Sequence, residues 1–229
     1  MLSNIVRAGD IIGSRPHPGL WGSFTKAGFV QRLIQVDGFL NFGSTALGLT
    51  HIRTVINPDL YVEATAPHAR FGGIRELEQN TMDDLFVYRY KGFPTDGEAL
   101  EVAKAILEVK SSLWVGSFAN PHDYDYLEFI FHGLTTIMGY AADAVQVLSN
   151  VLGSNWKGEI MKLVGRLKQE DFVCSSMVGA LLAAVAADPR TGMERPFKQP
   201  NGSHLYIEQL KPGHFASDPG FEEVWCLMA

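Results

Sequence analysis

Residues 50–66 read THIRTVINPDLYVEATA. Two runs rich in β-branched and aromatic residues flank NPDL at 57–60, where Asn, Pro and Asp turn the chain. The pattern predicts a β-hairpin with THIRTVIN and LYVEATA as its strands. Glu63 is the odd residue in it. A carboxylate flanked by Val62 and Ala64 faces either solvent or a partner. His51 opens the other strand, and a hairpin that sets Ile56 across from Pro58 sets His51 across from Glu63. Directly opposed residues have Cβ atoms roughly 4.5–5.5 Å apart. The hairpin then holds an imidazole within hydrogen-bonding reach of a carboxylate.

The segments around it extend the pattern. GDII at 9–12 opens a short buried strand, DDLFVYRYK at 83–91 is a third strand of the same kind, and FEEVWCLMA at 221–229 returns as an edge strand. FPTDGEALEVAKAILEVKSS at 93–112 is a helix: Thr95 and Glu98 have capping-box spacing, and Leu100, Ala103 and Leu107 share a face. Further helices are predicted within 123–170, and a short one within 26–35. The stretch EDFVCSSMVGALLAAVAADP at 170–189 is an apolar helix that Pro189 ends. Strands and helices fall in separate blocks, so the fold class is α+β, with a small antiparallel sheet packed on the cysteine-bearing helix and on further helices.

Cys174 lies at the start of that last helix. With Asp171 as N-cap it is the third residue of the first turn. Unpaired N–H groups and the helix dipole favour a thiolate there. The ordinary role of a free cysteine is as a small buried hydrophobe, and the helix by itself does not separate the two roles. A nucleophile needs a base. Of seven histidines, His17, His204 and His214 lie in Pro-, Gly- and Ser-rich stretches, His68 follows a strand, and His122 and His132 belong to a helical region. His51 alone begins a clean strand, which holds a general base rigidly.

Composition bounds the rest. The 229 residues, 46% of them hydrophobic and 19% charged, suit one good-sized domain. A net charge of −6 without a basic stripe argues against nucleic acid as a partner. The longest apolar run, MVGALLAAVAA, is shorter than the roughly 18 residues of a membrane span. Two cysteines in so long a chain point to a reducing compartment, with Cys226 structural and unpaired. The opening MLSNIVRAGDIIGS has neither the apolar run nor the small-residue cleavage site of a secretory signal, so the expected location is the cytoplasm. No His and Cys spacing fits a metal site, GSFTKAG lacks the spacing of a phosphate-binding loop, and no cofactor is expected.

Taken together, GDII, THIRTVIN, YVEAT, FVYRY, HDYDY, FVCSSMVGALL and LKPGHFASDPGFEEVW resemble the circularly permuted papain-like amidohydrolases. These are the YiiX-type relatives of NlpC-type cell-wall peptidases and of lecithin:retinol acyltransferase. The resemblance spans most of the chain and rests on order, with the histidine strand ahead of the cysteine helix. It implies one permuted papain-like domain over 1–229, with insertions near 13–50 and 123–168. It also implies a catalytic triad of Cys174 as nucleophile, His51 as base and Glu63 as orienting carboxylate. One departure is plain: the family follows its histidine with a small residue and glycine, whereas Ile52 and Arg53 stand here.

The implied activity is hydrolysis of a peptide or peptidoglycan-like amide, or of an ester, through a thioacyl intermediate. Arg53, on the same strand face as His51, is a candidate for binding an anionic group, and Trp21, Tyr61 and Tyr124 are candidates for lining the substrate pocket. Two alternatives remain. One is a lipid-directed acyltransferase or thioesterase. The other is a catalytically inactive binding or structural protein that keeps the fold, for example virion-associated; Arg53 and the long insertions motivate it.

Overall fold

The computed structural model describes residues 1–16, 49–65, 68–80, 83–116, 174–199, 201–207 and 210–228. The helices expected within 26–35 and 123–170, together with Trp21, Tyr124 and Asp171, lie outside the described residues. Six strands form one antiparallel sheet: β1 (Ile11–Pro16), β2 (His51–Asn57), β3 (Leu60–Thr65), β4 (His68–Gly73), β5 (Asp83–Tyr90) and β6 (Phe221–Leu227). Their spatial order is β4-β3-β2-β1-β5-β6. Four α-helices accompany the sheet among the described residues: α1 (Ile74–Asn80), α2 (Gly97–Gly116), α3 (Cys174–Ala187) and α4 (Pro212–Ser217). The mixed α+β class and the antiparallel sheet agree with the sequence pattern.

Alternation along the strands gives the sheet two buried faces. Ile11, Ile52, Ile56, Val62, Ala64, Phe86 and Tyr88 point to one side, where α2 and α3 cover them. Ile12, Val55, Tyr61, Leu85 and Val87 point to the other and pack with Leu2, Val6 and Ile74. In α3, Cys174, Met177, Val178, Leu181, Leu182 and Val185 are buried at helical spacing, so the cysteine belongs to the stripe that docks on the sheet. Ser175 fixes the first turn: its Oγ donates to the Leu210 carbonyl at 2.6 Å. Gly179, one turn on, lets the Leu210 side chain pack close against the helix, where a Cβ would push its Cδ1 aside. In α2, Ala103 and Leu107 are fully buried and Leu100 packs beside them, as the periodicity predicts. That helix begins at Gly97, so Thr95 stands one residue too early to be its cap.

The hairpin forms, but in another register. Val55 pairs with Tyr61 and Asn57 with Leu60, which leaves Ile56 as an extra residue on β2. The reason is the turn. Asn57 Oδ1 accepts from the Asp59 N–H at 3.0 Å, closing an Asx turn and making a two-residue connection of Pro58 and Asp59. The Thr54–Val62 pair continues this register, so Arg53 and not His51 comes opposite Glu63. The shift is an even number of residues, so His51 stays on the same face as Glu63, in the diagonal position. β4 and α1 went unforeseen, because HARFGG carries two glycines and a histidine where a strand signal needs β-branched residues.

No helix among the described residues is long and apolar enough to cross a membrane. At the far end of β1, Asp10 ties the central strands together. It is buried, accepts from Arg89 Nε at 2.8 Å and Nη2 at 2.7 Å, and caps the Arg7 N–H at 2.9 Å. Asp10→Ala strands the half-buried Arg89 and is expected to cost about 3 kcal/mol. Glu101→Ala, which removes the exposed ion pair with Lys104, should cost less than about 0.5 kcal/mol. Urea denaturation of the two variants beside the parent protein measures both.

Candidate active site

The paired stretch of β2 and β3 ends at Thr54 and Val62. Just beyond it, α3 delivers Cys174 from the helical side while His51 projects from the other. Cys174 and His51 lie close enough for each to shift the other's protonation, and the Ile52 backbone and Arg53 also act on the sulfur. The His51 Nε2 lies 2.8 Å from Glu63 Oε2, which leaves Nδ1 for the sulfur. The structure therefore brings together the three residues that the sequence singled out on separate elements, with Glu63 bonded to His51 and Cys174 beside the ring.

Glu63 is 2% exposed, and its carboxylate is fully engaged. Arg53 Nε donates to Oε2 at 2.8 Å, the oxygen that His51 also contacts, and Arg70 Nε donates to Oε1 at 2.8 Å. Arg53 is itself held, because its Nη1 donates to Ser14 Oγ at 3.3 Å and its guanidinium lies over the Tyr61 ring at 5.5 Å. Asp83, at the start of β5, completes the cluster within electrostatic reach of His51 and Arg53, and it hydrogen-bonds with Ser14.

These surroundings set the protonation states. Burial pushes the Glu63 carboxyl upward, but the His51 hydrogen bond, Arg53 and Arg70 outweigh it and hold the group at about 2. Burial likewise pushes the Cys174 thiol up, yet His51 first, then the Ile52 N–H and Arg53, bring it below the usual thiol value. Burial and Arg53 push the His51 imidazole down, while Cys174 and Glu63 raise it above the usual histidine value. A lowered thiol beside a raised imidazole favours thiolate and imidazolium together. Burial raises Asp83.

Two of the expected substrate contacts sit differently. Tyr61 is buried in the second core, its ring packed under Arg53 and against Gly72, so it supports the site from below. Arg53 is only 12% exposed and is committed to Glu63 and Ser14, so its charge is spent inside the site and not on an incoming anion. The physical reason is the hairpin register, which puts Arg53 directly across from the buried carboxylate. Arg70, Ser14 and Asp83 join the cluster without having been singled out. An arginine at 70, seven residues after Glu63 on a strand that pairs back onto it, was the available signal, but β4 itself was not legible. Cys226 is free, as expected, but exposed at the outer strand and not buried in the core. No family model matches this chain, and no curated protein matches it.

The Glu63 shift predicts an acid-sensitive fold. A carboxyl held at about 2 when folded, against an ordinary 4.5, stabilises the native state above the unfolded value by about 3 kcal/mol. That stability is lost as pH falls from about 4.5 toward 2. The stability gap between the parent protein and Glu63→Gln, measured by urea denaturation, should therefore be widest near neutral pH and shrink as the pH falls through this window.

Proposed function

We propose that the chain is a thiol-dependent hydrolase of the permuted papain-like kind, acting on amide or ester bonds. The observation that carries this reading is the pairing of a buried Cys174 at a helix start with His51, whose Nε2 is held by Glu63. The strand-borne histidine preceding the helix-borne cysteine, on an antiparallel sheet, is consistent with that family's permuted order.

The Cys174 thiolate attacks the carbonyl carbon, forming an S–C bond and moving the carbonyl electron pair onto oxygen. Backbone N–H groups in the first turn of α3 stabilise that oxyanion. The imidazolium of His51 gives its proton to the departing amine or alcohol as the C–N or C–O bond breaks. Water, deprotonated by His51, then cleaves the thioacyl enzyme and restores the thiol pair. Glu63 keeps Nε2 of His51 engaged, so that Nδ1 faces the sulfur, and stabilises the imidazolium. Peptide and peptidoglycan-like amides are the substrate class the resemblance implies, with lipid amides and esters second.

The rival reading, a non-catalytic binding or structural protein, is favoured by the 3% exposure of Cys174 and by the arginines that share Glu63 with His51. Acyl probes on peptide, peptidoglycan-fragment and lipid scaffolds separate the readings when adducts are followed by intact mass. We expect an acyl adduct on Cys174 that Cys174→Ala abolishes, and turnover lowered by on the order of 10⁴ in Glu63→Gln, assayed well below its melting temperature. A folded protein that takes up no probe from any scaffold would count against the hydrolase.

A further inference from the structure

Arg53 and His51 both contact the same carboxylate oxygen, Glu63 Oε2, each at 2.8 Å. A hydrogen-bonded arginine on the base's own orienting oxygen is not needed to hold the fold of the hairpin, whose register the turn and the bulge already fix. It is also not free to leave. Arg53 is 12% exposed, with Ser14 on Nη1 and the Tyr61 ring beneath its guanidinium. We propose that Arg53 is a positioning residue that acts through Glu63: by sharing Oε2 it limits how much of the carboxylate's charge reaches the His51 ring, and so sets the upper pH at which the base holds its proton. The inference rests on the thiol–imidazole site of the proposed function.

Cys174 on α3 and Glu63 on β3 favour the imidazolium. Arg53, on the ring's own strand β2, opposes it directly and competes for Oε2. Arg70 on β4 binds the opposite oxygen, Oε1, and is 62% exposed, so water screens it. Asp83 on β5 adds a negative charge near both His51 and Arg53, and Ser14 on β1 bridges Arg53 and Asp83. Of the cations among the described residues, Arg53 alone is both on His51's oxygen and shielded from solvent. With Arg53 gone, Oε2 turns wholly to Nε2, and the proton is held more tightly. An imidazolium that holds its proton too firmly is slow to give it to the leaving group, and at a given pH less of it is free as the base that activates water in deacylation, so Arg53 would keep His51 useful in both directions.

The test follows the His51 ring resonances by NMR against pH, in full-length protein carrying Cys226→Ser, with His51→Gln supplying the assignment. We expect Arg53→Gln to raise the titration midpoint of His51 by about one pH unit. Arg70→Gln should move it much less. Arg53→Lys keeps a cation but not the planar fork that reaches Oε2 and Ser14 together, and should fall between the parent and Arg53→Gln. If Arg53→Gln does not fold, the smaller upward shift in Arg53→Lys carries the test. An Arg53 variant that folds and titrates with the parent, or a shift just as large in Arg70→Gln, overturns the proposal. A parent protein in which His51 titrates independently of Cys174→Ala overturns instead the thiol–imidazole site on which it rests.

Discussion

A carboxylate taken out of water is the constraint around which this protein is arranged. Glu63 is nearly inaccessible, and a buried charge without partners is not tolerated. Its two oxygens are met by His51 and Arg53 on one side and Arg70 on the other, drawn from β2 and β4. The three strands β4, β3 and β2 at this end of the sheet are thus tied by charge as well as by their ladders. Once Glu63 is fixed, His51 has one nitrogen committed, and its ring lies beside the sulfur that α3 brings in.

Access to that sulfur depends on where the β2–β3 ladder stops. Had pairing continued past Thr54 and Val62, the edge of β2 would be closed by β3. Instead the ladder stops there, and the Ile52 backbone acts on the Cys174 sulfur. Ser175 and Gly179 hold the start of α3 against Leu210, so the sulfur is presented by a docked turn. The site is thereby built from packing on the helical face and polar contacts on the opposite face, meeting at one gap.

How much of this the sequence carried can be judged residue by residue. His51, Glu63 and Cys174 were legible because each broke a local rule: a carboxylate within an apolar strand, a histidine opening one, and a thiol at a helix start. The register was not, since one Asx hydrogen bond at Asn57 decides whether the turn has two residues or three, and alternation is blind to an even shift. The contact survived for that same reason. β4 and its Arg70 were hidden by glycines, and Ser14 and Asp83 are brought in only by the pairing of β1 with β2 and β5. Arg53 was noticed for its face and misread for its role, because sequence shows that a side chain is near a site but not that it is already occupied.

The central claim is that Cys174 and His51 titrate as a coupled pair, the imidazole lowering the thiol and the thiolate raising the imidazole. The most direct measurement is the ultraviolet absorbance of the thiolate as a function of pH in the Cys226→Ser protein, with the Cys174→Ser, Cys226→Ser double variant as the blank. The account predicts a Cys174 thiolate that forms below the ordinary thiol value of 9.0 and that retreats to higher pH in His51→Gln. A thiolate that appears only at or above that value, unchanged by removing His51, would contradict it.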